Sequence, residues 1–261
     1  MPARLRVVLT RSRGAAWLRR LSQMRGGASV IVPLCGPMAG YRMLLDVQAG
    51  HRRYALGTYE PEITALIQST LKGGETVMDV GANIGYFTLL MARQVGPKGR
   101  VIAFEPLPTV FELLRENLRL NNLLWAHAEC KAVTDHDGET RMQSESGNPL
   151  SFTACVAEEG DFVVATVSMD RYVEAASLTR LDLIKIDVEG AEDAVIRGMT
   201  KSLQRFRPVV LVEIHANDGQ KSEALERLEG AGYRLSRVDP TGLSPCDTRA
   251  CGGYVMGSWR P

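Results

Sequence analysis

From residue 76 onward, short apolar runs alternate with stretches in which an apolar residue returns every third or fourth position. The runs at 76–80, 100–104, 127–133, 181–187, 208–214, 233–238 and 251–257 read as strands, and helical spacing occupies 85–95, 108–121, 190–203 and 221–231. Strands apolar at nearly every position are covered on both faces, so the pattern predicts an α/β fold: a mostly parallel sheet with helices on both sides. Only a loop, residues 240–252, precedes the last strand. It holds no crossover helix, so that strand is expected to run antiparallel to its neighbour.

Before residue 76 the pattern is different. Leu5, Val8, Leu9, Trp17, Leu18, Leu21 and Met24 recur at loosely helical spacing among arginines over residues 3–24, and Gly26-Gly27 breaks the run. Residues 29–34 and 42–47 read as short strands. A helix opening at Pro61 carries Ile63, Leu66, Ile67 and Leu71 on one face and ends at Gly73-Gly74. The chain is therefore expected to divide into a basic N-terminal extension or lid, residues 1–56, and a main domain, residues 57–261. The polar segment 138–168 interrupts the alternation. It contains Gly147-Asn148-Pro149, a turn signal, and ends in the strand-like "FVVATVS", which suggests a hairpin-like excursion beside the active edge.

Composition adds a boundary and an asymmetry. With 261 residues, 45% of them hydrophobic, the chain can bury one large core with an appendage. The net charge of +1 conceals ten arginines, from Arg4 to Arg53, that face only Asp46 before Glu60. Such an arm can touch RNA, an anionic membrane surface or an acidic partner. It lacks the interleaved aromatics of a single-strand binder, so a solvated arm is the favoured reading and nucleic acid is not. The five cysteines, Cys35, Cys130, Cys155, Cys246 and Cys251, are odd in number and contain no C-x-x-C. They are expected to be reduced thiols without a zinc site. No apolar run approaches the ~18 residues that span a bilayer, and arginines stand where a leader would be apolar, so a cytoplasmic protein is expected.

The chemistry concentrates first in Glu75 to Phe87, "ETVMDVGANIGYF", which reads as strand, tight turn and helix. That arrangement sets backbone N–H groups and a helix N-terminus at the carboxyl end of a buried strand, where open α/β sheets hold ligands. Asp79 interrupts an otherwise apolar strand, and a buried carboxylate needs a partner. Glu105 ends the next strand, placed to take both hydroxyls of a ribose. The turn, Gly81-Ala82-Asn83-Ile84-Gly85, is not the G-x-G-x-x-G of NAD enzymes. An acid beside it would repel a pyrophosphate and suits a ligand with a positive amino-acid end.

Four blocks, "VMDVGANIGYFTLLMAR", "GRVIAFEPLPTVFELLRENLRLNN", "LDLIKIDVEGAEDAVIRGM" and "PVVLVEIH", occur in an order that resembles the FkbM family of S-adenosylmethionine-dependent methyltransferases. The resemblance spans residues 57–215. It implies a class I, Rossmann-like methyltransferase fold with a seven-stranded sheet whose last strand is antiparallel. It further implies that Asp79, Gly81, Ala82, Asn83 and Gly85, with Tyr86 and Phe87, line the methionine and ribose end of S-adenosylmethionine. Glu105 and Pro106 would hold the ribose, and the adenine would lie near Ala132 and Val133, with Asp135 a candidate for its amino group. The turn "DHDGET" explains Asp135 equally well without a ligand. Tyr59 and Glu60, in "YEPE", would close over the cofactor or the acceptor.

A second cluster lies in "KIDVEGAE" and "VEIH". Lys185 and Asp187 alternate along one strand, Glu213 and His215 along another, and both strands end at one sheet edge. Asp187, Glu189, Glu213 and His215 would thus approach the sulfonium. Methylation of a hydroxyl requires removal of its proton, and a positioned base contributes about 10²- to 10⁴-fold. His215 is the first choice of base and Asp187 the second. Each has a plainer reading: Glu189 as a helix cap, Lys185 with Asp187 as a structural ion pair, His215 as a satisfied strand-end residue. Asp187, Glu213 and His215 would also suit a divalent metal, which spacing alone does not favour. The expected function is O-methylation of a hydroxyl on a small molecule or glycoconjugate. The alternatives are an RNA or polymer methyltransferase guided by the arginine-rich head, a cofactor-binding scaffold without turnover, and an NAD enzyme.

Overall fold

Strands that are apolar at every position can only lie between two layers of helix, and the central strands do so. The computed structural model describes residues 6–7, 29–33, 36–45, 52–144, 154–156, 160, 162–215, 222–248 and 251–259. Strands β1 (Arg6–Val7), β2 (Ser29–Val32) and β3 (Met43–Leu45) form a small antiparallel sheet. Helices α1 (Arg52–Leu56) and α2 (Pro61–Thr70) lead to the first central strand, β4 (Thr76–Val80). Next come α3 (Tyr86–Val95), β5 (Arg100–Phe104), α4 (Pro108–Leu120) and β6 (Ala126–Glu129). Strands β7 (Ala132–Thr134), β8 (Gly138–Ser144), β9 (Ala154–Val156) and β10 (Phe162–Ser168) build a second sheet ordered β7-β10-β8-β9. The chain continues through α5 (Met169–Ala175), β11 (Leu183–Ile186), α6 (Glu192–Arg197), α7 (Thr200–Phe206) and β12 (Val209–Ile214). It then forms α8 (Glu223–Gly230), β13 (Tyr233–Asp239), β14 (Gly242–Pro245) and β15 (Gly253–Trp259).

The main sheet has the order β14-β13-β15-β12-β11-β4-β5-β6. Strands β6, β5, β4, β11 and β12 are mutually parallel, and β15 runs antiparallel to both β12 and β13, as the loop before it requires. The sequence alternates sides with period two. Val77, Val101, Leu183 and Leu211 join the core formed with α3, α4 and the N-terminal strands. Met78, Ile102, Ile184 and Val210 join the opposite core, with α6, α7 and α8. Asp79, Lys185, Glu213 and Tyr254 therefore all belong to the first side. Chain order reverses direction beside β4, whose neighbours are β5 and β11, and this switch point is where such sheets open a crevice.

Several details depart from the sequence reading. The sheet has eight strands because the loop after β13 folds back as β14. The single strand expected at 127–133 is two: β6 stays in the main sheet, and after Cys130-Lys131 the chain leaves it as β7, parallel to β10. The helix expected at 190–203 breaks at Gly198, where an added Cβ would lie 2.1 Å from the Thr134 carbonyl oxygen, so close approach to β7 interrupts it. The cysteines are not all reduced: Cys246 and Cys251, with Cα atoms 6.2 Å apart between β14 and β15, form a disulfide. The helix expected over 3–24 lies outside the described residues except for Arg6–Val7, which pair with Val32 and Ile31 as strand. Ile31, Met38, Met43 and Leu45 share the core of Ile67, Leu89 and Leu114, so the N-terminal segment packs into the main body. Among the described residues no helix is long and apolar enough to cross a membrane.

Asn117 ties these parts together. It is fully buried; its Oδ1 accepts from the Leu44 amide at 2.6 Å and its Nδ2 donates to the Ile84 carbonyl at 2.8 Å. Replacing it with Leu strands both backbone groups, each worth about 1–3 kcal/mol. Asn117→Leu should lower the urea midpoint of unfolding with little change in the slope of the transition.

Candidate active site

The turn after β4 is built from backbone conformations that few residues accept. Gly81, Asn83 and Gly85 have φ of 78°, 51° and 93°. Asparagine tolerates this region better than other side chains, and at Gly81 a Cβ would fall 1.7 Å from the Asp187 carbonyl oxygen, so no side chain fits. The Gly81 and Ala82 amides donate to the Phe104 carbonyl at 3.1 and 2.9 Å, which fastens the turn to the end of β5. Directly beyond, the buried Glu105 carboxylate accepts from the amides of Asn83 and Leu107, both at 2.9 Å. Burial pushes its pKa up to about 7, with the Leu107 and Asn83 hydrogen bonds pulling the other way.

Lys185 is the centre of the charged row. It is 1% exposed, its Nζ donating to Asp187 Oδ2 at 3.0 Å and lying 3.8 Å from Asp79 Oδ1. Burial opposes its charge, but Asp187 and Asp79 outweigh that and raise its pKa. The ammonium also sits 5.1 Å from the Phe87 ring centroid. Asp79 accepts from Thr88 Oγ1 at 2.6 Å through Oδ2, while its Oδ1 is buried with no hydrogen-bond partner. Burial raises the Asp79 pKa, partly offset by Lys185. In Asp187 the balance reverses: burial opposes ionisation, yet Lys185 holds the carboxyl below its ordinary value. The Tyr254 hydroxyl also donates to Asp187 Oδ2, at 3.1 Å.

At the ends of β11 and β12 the acids outnumber the cations. His215 Nδ1 lies 2.7 Å from Glu192 Oε1, and its Nε2 lies 3.3 Å from Glu189 and 4.0 Å from Asp187. The hydrogen bond to Glu192 raises its pKa to about 9 against the effect of burial, with help from the charges of Glu192, Glu189 and Glu213. That shift favours the doubly protonated imidazole at neutral pH. Glu213 is pushed up to about 7 by burial and by the charge of Asp187. Asp187, Glu213 and His215 each offer one ligand atom within 4.8 Å of the others.

These elements border a cavity of about 570 Å³, within the range of small-molecule sites. Gly81, Ala82, Asn83, Tyr86, Phe87, Glu105, Pro106, Val133, Lys185 and Asp187, all expected from the sequence, line it. Asp79 and Gly85 lie behind the lining: Asp79 is fully buried, and at Gly85 a Cβ would meet Leu114 Cδ1 at 2.5 Å. Glu213 and His215 stand next to Asp187 outside the lining. So does Glu60, whose Oε2 is buried without a hydrogen-bond partner on a residue with φ of 38°. Asp135 is turned away, engaged by Arg197 at 2.7 Å and His136 at 2.8 Å, and Val133 and Thr134 take its place on the wall. Sequence reasoning missed Arg53 and Tyr54 on α1, and Lys131, Met142 and Val156. The last two come from the excursion that interrupts the strand-helix rhythm, which was their one signal. Tyr54, Tyr59, Tyr86 and Phe87 form an aromatic group, with Tyr54 and Tyr59 centroids 4.3 Å apart and Tyr86 and Phe87 5.3 Å apart.

The methyltransferase FkbM domain profile matches residues 79–235, more than half of the chain. The hexuronic acid methyltransferase AglP of Haloferax volcanii is 30% identical over 212 residues, which cover 77% of this chain and 82% of that protein. The 31-O-demethyl-FK506 methyltransferase FkbM of Streptomyces tacrolimicus is 30% identical over 203 residues, covering 65% and 77%. The 2-O-methyltransferase NoeI of Sinorhizobium fredii is 28% identical over 188 residues, covering 63% and 76%. Among solved structures, a methyltransferase FkbM from Methylobacillus flagellatus aligns with a TM-score of 0.48 at 16% identity, over 77% of this chain and 51% of that one. With the glycine turn, the acid at the end of β5 and the charged row on β11 and β12 inside the matched span, the chain belongs to the FkbM family of methyltransferases.

Proposed function

We propose that this methyltransferase uses S-adenosylmethionine to methylate a hydroxyl of a small molecule or glycoconjugate, a sugar or a polyketide-like metabolite. The observation that carries the reading is one cavity lined by the glycine turn, Glu105 and Asp187, with the unsatisfied Asp79 directly behind its wall and Glu213 beside Asp187. Relatives named for a hexuronic acid, a 2-O and a 31-O position support hydroxyl acceptors.

The donor set fits such a cofactor. Asp79 Oδ1, buried and without a hydrogen bond, suits the ammonium of an amino-acid end. Glu105 keeps lone pairs free for ribose hydroxyls while two amides fix its orientation. Val133, Thr134, Met142 and Val188 offer a flat, largely apolar wall for a purine. When bound, S-adenosylmethionine supplies a methyl group made electrophilic by its sulfonium.

The chain's own part is to align an acceptor oxygen, take its proton and keep water out. Asp187 lines the cavity and Glu213 stands beside it, so the acceptor proton passes to this pair and comes to rest on Glu213. Two close carboxylates titrate together, and the value near 7 belongs to the pair. His215, protonated, supplies positive charge that keeps both carboxylates ionised before the proton arrives, and Lys185 does the same from the sheet interior.

Rates and binding in the wild-type protein and three variants test this. The rate at saturating acceptor should fall below about pH 7 as the acid pair takes up a proton. His215→Gln removes a positive charge that favours the ionised pair, so it should move that limb to higher pH, and an unmoved limb in that variant would remove His215 from the account. Glu213→Gln should lower kcat about 10²- to 10⁴-fold while S-adenosylhomocysteine still binds. Asp79→Ala should do the reverse, weakening S-adenosylhomocysteine binding in calorimetry about tenfold or more.

A further inference from the structure

Three cations line the cavity: Arg53, Lys131 and Lys185. Lys185 is committed to Asp187 and Asp79. Lys131 faces Glu129 at 3.9 Å. The Arg53 guanidinium, on α1 at the exposed rim, forms no hydrogen bond or ion pair among the described residues, although Glu105, Asp187 and Glu189 line the same cavity. A cation at the mouth of a site that receives a sulfonium and an ammonium works against the cofactor's entry unless it meets an anion there. Beside it, Tyr54 lies 4.3 Å from Tyr59 and 5.2 Å from Tyr86 by ring centroids, an aromatic wall suited to the C–H face of a pyranose ring.

We infer that the acceptor is an acidic sugar, its carboxylate held by Arg53 at the rim and its ring set against Tyr54 and Tyr59. This rests on the methyltransferase reading above. Arginine suits the task because its planar fork matches both oxygens of a carboxylate, and because it stays charged throughout the working pH range. The contact is equal in ground and transition states, so it acts on KM and leaves kcat nearly alone.

The test pairs the methyl glycosides of glucuronic, galacturonic and mannuronic acids with those of glucose, galactose and mannose, using labelled S-adenosylmethionine and the full chain. At least one acid should be methylated in preference to its neutral partner. Arg53→Ala should raise the KM for that acid about 10- to 100-fold and collapse the acid-over-neutral preference, and Arg53→Lys should restore part of it. Calorimetry with S-adenosylhomocysteine is run on each variant. A matching loss of affinity there would assign the guanidinium to the cofactor's own carboxylate and overturn the proposal. So would turnover of neutral glycosides alone, or of none of the six while wild-type protein binds S-adenosylhomocysteine. Failure of the wild-type protein to bind S-adenosylhomocysteine would instead strike the methyltransferase reading itself.

Discussion

A lysine ammonium buried to 1% exposure in the middle of a parallel sheet is the constraint around which the site is arranged. Such a charge is tolerated only with counter-charges at contact distance. Lys185 finds them along its own strand, in Asp187, and across the strand pair, in Asp79, its register partner on β4. That one cation favours the ionised form of both acids, prevailing over burial at Asp187 and only partly offsetting it at Asp79. Asp79 keeps an unsatisfied oxygen while remaining a usable acceptor. Asp187 is held below the ordinary carboxylate range, while burial and the charge of Asp187 push Glu213 above it. Without Lys185, burial would favour the neutral form of both carboxyls.

Most of the frame was legible in the sequence because it obeys a short period. Strands β4, β5, β12 and β13, helices α3 and α4, and the antiparallel last strand follow from residue spacing and loop length. Asp79 and Glu105 were readable for a related reason: a charge at a position the pattern assigns to the core must have a use. What was not legible depends on contacts distant in sequence. The pKa of His215 is raised first by its hydrogen bond to Glu192, 23 residues away on another element, a contact that no spacing rule predicts. The engagement of Asp135 by Arg197, 62 residues on, has no trace in the turn sequence around it. The two halves of 127–133 look alike as a string, and they part because one half pairs with β5 and the other with β10. Gly198 did carry a hint inside its helical run, since an interior glycine often marks a close backbone approach.

The two sheets divide the labour of recognition. The main sheet supplies charge at strand ends that cannot move without breaking the ladder. The smaller sheet supplies Met142 and Val156, side chains without hydrogen-bonding demands, from strands paired on the far side of the cavity. Fixed charge from strand ends and adaptable apolar surface from the excursion thus line one cavity.

The placement of β15 has a consequence for how the protein comes into being. This strand is inserted between β12 and β13, and its Tyr254 bonds to Asp187. During synthesis, every other strand of the main sheet emerges from the ribosome before the one that joins β12 to β13. Until residues 253–259 arrive, β12 presents an open edge beside the acid pair, and the site lacks one of its hydrogen-bond donors. The last strand of the sheet in chain order is thus the one that closes its gap and brings Tyr254 to Asp187.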